Sequence, residues 1–167
     1  MTCVTRRYPG IVAMATVVCA AVRFVAAQDT PVSPLASRID PYVERQRVVV
    51  MTDIANEPDD QMSMVRFLVY SNQFDVEGLI ATTSTWMKNR VRPDVLETLV
   101  AAYDEVRPTL LKHEPGFPGA DALRAVIASG QPGYGMAAVG PDKMSRGAEL
   151  IVKAADKNDA RPLWVLA

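Results

Sequence analysis

Cysteine is nearly absent from this sequence. Among 167 residues only Cys3 and Cys19 carry a thiol, and both fall within the first 27 positions. The rest of the chain can form no disulfide and run no thiolate chemistry. Histidine occurs once, as His113 between Lys112 and Glu114. A lone histidine does not make a zinc site, which draws several ligands together. It also gives no suggestive partner to Ser63 or Ser71, so a serine nucleophile has no support. Neither sign of charge is in real excess: 18 basic against 19 acidic residues, net −1. A nucleic-acid partner, which wants a basic patch, is not indicated. Long hydrophobic runs are missing too. The apolar stretch at 11–22 spans about 12 residues, short of the ~20 that a membrane-spanning helix needs, so no stable membrane anchor is expected.

What is present reads as one globular domain behind an export signal. Arg6 and Arg7 precede the apolar stretch, and Val25-Ala26-Ala27 offers small residues where a signal peptidase reads. Residues 1–27 are expected to be a signal peptide cleaved after Ala27, giving a secreted or periplasmic protein. Cleavage removes Arg6, Arg7 and Arg23 and no acid, leaving a more acidic remainder. Residues 28–45, with Pro31, Pro34 and Pro41, read as a linker or lead-in.

From residue 46 the pattern alternates. Val48-Val49-Val50 is a buried strand within 47–51. Asp59 opens a helix to about Tyr70 with Met64, Val65 and Leu68 on one side. A second strand covers 75–83. Pro93 stands where a first helical turn tolerates proline, and Val95, Leu96, Leu99, Val100 and Tyr103 form the stripe that follows. A third helix is expected over 120–129, stopped by Gly130. A glycine-rich loop fills 131–140, and a fourth helix runs over 145–156 with Ala148, Ile151 and Ala155 in register. A buried strand begins at Leu163. Strands alternating with helices imply a parallel α/β sheet, with ligands at the carboxyl ends of its strands.

The loop at one such end is rich in oxygen ligands: Asp53, Asn56, Glu57, Asp59 and Asp60 within nine residues. Carboxylates packed this closely repel unless protons or a cation neutralise them. Calcium, which takes six to eight oxygens in flexible geometry, suits such a segment. The plainer alternative makes Asp59 a helix N-cap and places Asp60 at the positive end of the helix dipole.

The segment RVVVMTDIANEPDDQMSMVRFL resembles the opening of a nucleoside hydrolase. More closely, the chain from Arg47 onward resembles the nucleoside-hydrolase-like domain of proteins described as cellulose-binding, through TDIANEPDDQMSMVRFLVYSNQFDVEGLIATTSTW, VRPTLLKHEPGFPGADALRAVIASGQPGYG and ARPLWVLA. The resemblance implies a Rossmann-like open parallel sheet with flanking helices, over residues 46–167. It implies a calcium ion held by Asp53 and Asp60, Asp53 acting as general base on the attacking water, and Asp59 on a sugar hydroxyl. The reaction implied is hydrolysis of an N- or O-glycosidic bond in a nucleoside or carbohydrate. Further calcium ligands and a catalytic histidine are implied at positions later than Ala167, so the chain is expected to be an N-terminal fragment of such a domain, inactive by itself.

Some residues depart from the nucleoside-hydrolase pattern. Met51 replaces an aspartate, the loop from Asp53 to Asp59 is longer, and Thr83-Ser84-Thr85-Trp86 replaces an asparagine-containing turn. These departures support an alternative: a non-catalytic carbohydrate-binding protein on the same fold. Trp86 either packs in a core or stacks on a sugar ring. Asn56 is a candidate for the same ligand, and Asn89 and Arg90 either donate hydrogen bonds to it or are solvated loop residues. The loop at 131–140 lacks the Gly-Lys-Ser/Thr ending of a phosphate loop.

The export reading has a direct test. Intact-mass measurement of the protein released by its own host should show a chain beginning at Gln28; a retained Met1 would overturn the cleavage assignment.

Overall fold

The three valines Val48 to Val50 form the centre of the first strand, β1 (Gln46–Thr52). Because β-branched side chains are stiff and suit a pleated surface buried on both faces, this run takes an interior position in the sheet. The computed structural model describes residues 44–167. The expected signal peptide at 1–27 and nearly all of the lead-in lie outside the described residues.

After β1 come α1 (Pro58–Val69), a 3-10 turn at Ser71–Gln73, β2 (Phe74–Ala81), α2 (Pro93–Leu110), α3 (Ala120–Ala125), β3 (Ile127–Ser129), a second 3-10 turn at Met136–Ala138, α4 (Arg146–Ala155) and β4 (Leu163–Leu166). The strands form one parallel sheet in the order β3-β2-β1-β4. The α/β class and the parallel pairing expected from the sequence are both present.

Helices cover both faces. Met64 and Leu68 of α1, Leu96, Val100 and Tyr103 of α2, and Leu123 of α3 pack with Leu79 and Ala81 of β2. On the other face Ala154, Leu150 and Ile151 of α4 meet Val49 and Ile80. Tyr103 keeps its hydroxyl satisfied by donating to the Pro118 carbonyl at 2.8 Å.

Several expected boundaries move. The helix expected over 120–129 ends at Ala125, and Ile127–Ser129 becomes β3, paired with Leu79 to Ala81. The open edge of β2 needs backbone partners, and the β-branched pair Val126-Ile127 suits a strand, so tertiary pairing overrides the alanine-rich helical pattern. β2 stops at Ala81 rather than Thr83. Val65 is 48% exposed, so the buried stripe of α1 is narrower than expected. In α4 the buried positions are Gly147 and Ala154, one residue off the expected register. There Gly147 lets the helix approach β3: an added Cβ would lie 2.6 Å from the Ile80 methyl and 3.0 Å from the Ser129 carbonyl. β4 was expected to be buried. It pairs with β1 alone among the described residues, and Trp164, Val165 and Leu166 are exposed.

The register between β1 and β2 shifts between Val48 and Val49, which oppose Val76 and Gly78. Glu77 is thus an extra residue, a β-bulge. The bulge turns Glu77 and Gly78 toward the α4 face. At Gly78 a Cβ would lie 2.6 Å from the Leu150 Cδ2 methyl and 3.0 Å from Val49, so a side chain there would push the tip of Leu150 aside. At Glu77 the carboxylate meets Arg47, whose guanidinium is buried. Arg47 donates to Glu77 at 2.8 and 3.0 Å, to the Arg161 carbonyl at 3.2 Å and to the Ala154 carbonyl. Arg161 in turn binds Asp159 at 2.7 Å and Asp75 at 2.6 Å, and Lys157 reaches Glu77 at 2.8 Å.

Arg47 holds the Glu77 carboxyl below its ordinary range, and Arg161 does the same for Asp159. A depressed carboxylate pKa stabilises the fold above the unfolded-state value of about 4 and loses that contribution as pH falls through the folded value. Arg161→Gln should therefore lower the melting temperature at pH 7, with the gap to the native chain closing as pH drops below about 4; a gap independent of pH would show that the network carries no linked protons. Arg47→Met, which leaves Glu77 without its main partner, should cost about 3 kcal/mol in urea unfolding.

Candidate functional site

The carboxyl ends of β1 and β2 lie side by side because the ladder continues one step beyond them: the Thr82 amide donates to the Thr52 carbonyl at 2.7 Å. The two loops that follow therefore leave the sheet together, at the edge where open α/β sheets bind ligands.

The first loop turns sharply. The Asn56 amide donates to the Asp53 carbonyl at 3.0 Å, closing a four-residue turn. Ala55 occupies its third position with φ of 71°, a left-handed conformation that costs a residue with a Cβ about 1 kcal/mol. The turn is held by Ile54, which is fully buried in the core with Leu79 and Leu96. Asp53 is left half-buried where β1 ends.

The other acids divide. Glu57, not Asp59, is the N-cap of α1, because Pro58 takes the first helical position. Asp60 then lies at the third position, and its Oδ2 accepts from the Glu57 amide at 3.0 Å, the return half of a capping box. Asp59 is exposed in the first turn. Among the described residues no three of His, Cys, Asp and Glu are grouped so as to hold a metal ion. Asp53 and Asp60, the expected calcium pair, thus supply fewer oxygens than calcium takes, and one oxygen of Asp60 already has a backbone donor.

The second loop, 82–92, is also built on a turn. Ser84 Oγ accepts from the amides of Trp86 at 3.1 Å and Met87 at 3.0 Å, and the Ser84 amide donates to the Met87 carbonyl at 3.1 Å. Met87 is buried and anchors the turn, while its neighbour Trp86 is 81% exposed. Trp86 takes no part in the core that the described residues form. The Tyr134 amide donates to the Lys88 carbonyl at 2.9 Å, clasping the glycine-rich loop to this one.

Between the loops lies a cleft of about 320 Å³, with Ala55 and Asn56 on one side and Trp86, Lys88, Asn89 and Arg90 on the other. Two expected ligand-binding residues, Asn56 and Trp86, are brought together here. Asp53, Asp59 and Asp60 do not line it. Lys88, Met87 and the Ser84 turn were missed in the sequence; the serine two residues ahead of Trp86 was the available signal, since Ser side chains bond amides two or three residues on. His113 is exposed and far along the chain at the end of α2. A cleft of about 520 Å³ borders the glycine-rich loop and the start of α4, where the Ser145 hydroxyl is occupied by the Ala148 amide at 3.2 Å. No described helix is long and apolar enough to cross a membrane.

Comparison with known proteins agrees with this fold. Residues 47–167 match the family described as cellulose-binding Sde182, nucleoside hydrolase-like domain. A solved structure, of a nucleoside hydrolase-related hypothetical protein from Saccharophagus degradans associated with carbohydrate metabolism, is 43% identical with a TM-score of 0.70. The match covers 72% of this chain and 29% of that one, so this chain spans less than a third of that protein's length. No curated protein matches the sequence.

The geometry of the first loop gives a stability test. Asp60→Ala should destabilise the chain by about 1 kcal/mol through loss of the cap, whereas Asp59→Ala should change urea unfolding by less than about 0.5 kcal/mol. Equal effects at both positions would remove the structural role from Asp60.

Proposed function

The chain belongs to the family of cellulose-binding, nucleoside hydrolase-like domains, and on that premise we propose that it recognises carbohydrate in the cleft between the Asp53 turn and the Ser84 turn. One observation carries this reading: Trp86 stands 81% exposed on a hydrogen-bonded turn beside Asn56, at the carboxyl edge of the sheet. An indole held clear of the core is a flat apolar face on which a sugar ring stacks, and flanking amides and cations supply hydrogen bonds to its hydroxyls. Ser84 fixes the turn through backbone bonds, so little order has to be gained on binding. Export of the protein, through the segment ending at Ala27, would bring the cleft to extracellular glycans.

A second reading is favoured by the position of Asp53. It ends β1 half-buried, where a carboxylate could take a proton from water attacking a glycosidic bond, with Asp59 exposed nearby in sequence for a sugar hydroxyl. Calcium would belong to this reading. The two carboxylates Asp53 and Asp60 do not by themselves make a calcium site.

Retention on insoluble cellulose, followed by assay of the supernatant, separates the two. Under the binding reading the protein is retained, Trp86→Ala weakens retention about tenfold, and no reducing sugar appears. Release of reducing sugar or free base, lost in Asp53→Asn, would replace that reading with hydrolysis. Calcium that raises the melting temperature of the native chain but not of Asp60→Asn would add the metal.

A further inference from the structure

We infer that the cleft beside Trp86 takes an anionic sugar, a uronate-type residue bearing a carboxylate, in preference to a neutral glucosyl unit. The inference rests on the carbohydrate reading above and names the class of sugar. Its basis is the charge of the lining. Lys88 and Arg90 both border the cleft, and no carboxylate does. Neither cation has a side-chain partner among the described residues. Two residues on, by contrast, Arg92 is already paired with Asp94 at 2.7 Å.

The chemistry of the two cations fits a carboxylate attached to a ring that lies on the indole. A guanidinium presents paired N–H donors that match the two oxygens of a carboxylate, and an ammonium adds a mobile point charge. Asn56, across the cleft, and Asn89 offer both donors and acceptors to ring hydroxyls. A neutral glucan could accept hydrogen bonds from both cations but would leave their charge unanswered. The Lys88 carbonyl is fixed by the Tyr134 amide, which holds the backbone of this cationic segment in place over the glycine-rich loop.

The test uses the full chain and two probes of equal length, tetragalacturonate and cellotetraose, in calorimetric titrations at low and at physiological salt. Tetragalacturonate should bind at least about tenfold more tightly at low salt, with the preference shrinking as salt screens the charges. The paired variant Lys88→Gln with Arg90→Gln should abolish the preference, cutting tetragalacturonate affinity about tenfold and cellotetraose affinity by a smaller factor. Trp86→Ala should weaken both. All three positions are exposed, so unchanged melting curves confirm that the variants fold. Equal affinity for the two probes, or a preference that survives the paired variant, overturns the inference while leaving the carbohydrate reading standing. Binding of neither probe overturns both.

Discussion

The buried guanidinium of Arg47 is the constraint on which the sheet depends. It enters at the start of β1 and contacts three other elements: the bulged residue Glu77 of β2, the last carbonyl region of α4 at Ala154, and the turn that leads into β4 through the Arg161 carbonyl. An ion this deep is stable only when its hydrogen-bonding capacity is met, so each partner is held to one place. The bulge is part of the same arrangement. Without the extra residue at Glu77, its carboxylate and the open space at Gly78 would not share the α4 face.

From that fixed end the consequences run along β1 and β2 to the opposite edge. The two strands keep step from Val49 and Gly78 to Thr52 and Ala81, and one further bond links Thr82 to Thr52. The loops after them must therefore emerge as neighbours, which is what makes a cleft of the Asp53 turn and the Ser84 turn. Ion pairs gather at the amino end, while at the carboxyl end Lys88 and Arg90 have no side-chain partner among the described residues. This is the usual division in open α/β sheets, where the carboxyl edge serves ligands.

The aspartate-rich loop shows how one segment carries two roles. Asp60 and Glu57 serve the helix start, and Ile54 holds the turn to the core. Ala55 bears a positive φ only because Ile54 on one side and α1 on the other determine the path of the chain. Asp53 alone remains half-buried at the strand end with its side chain uncommitted to the cap.

The α/β class, the parallel sheet and the family resemblance were legible in the sequence, because valine runs, the Pro93 helix start and the long stripe from Leu96 to Tyr103 are local patterns whose period reports burial directly. So was the place of the Asp53 loop, since a loop after a buried strand lies at the sheet edge. The helix expected over 120–129 is present to Ala125, but its last residues were misread because an alanine-rich decapeptide satisfies a helix locally, and only the unpaired edge of β2 makes Ile127–Ser129 a strand. The bulge at Glu77, the burial of Arg47 and the exposure of Trp86 were likewise decided by tertiary structure. Each depends on which residues from distant parts of the chain arrive at the same point, and a charged or aromatic side chain carries no local mark of whether a partner will be there to meet it.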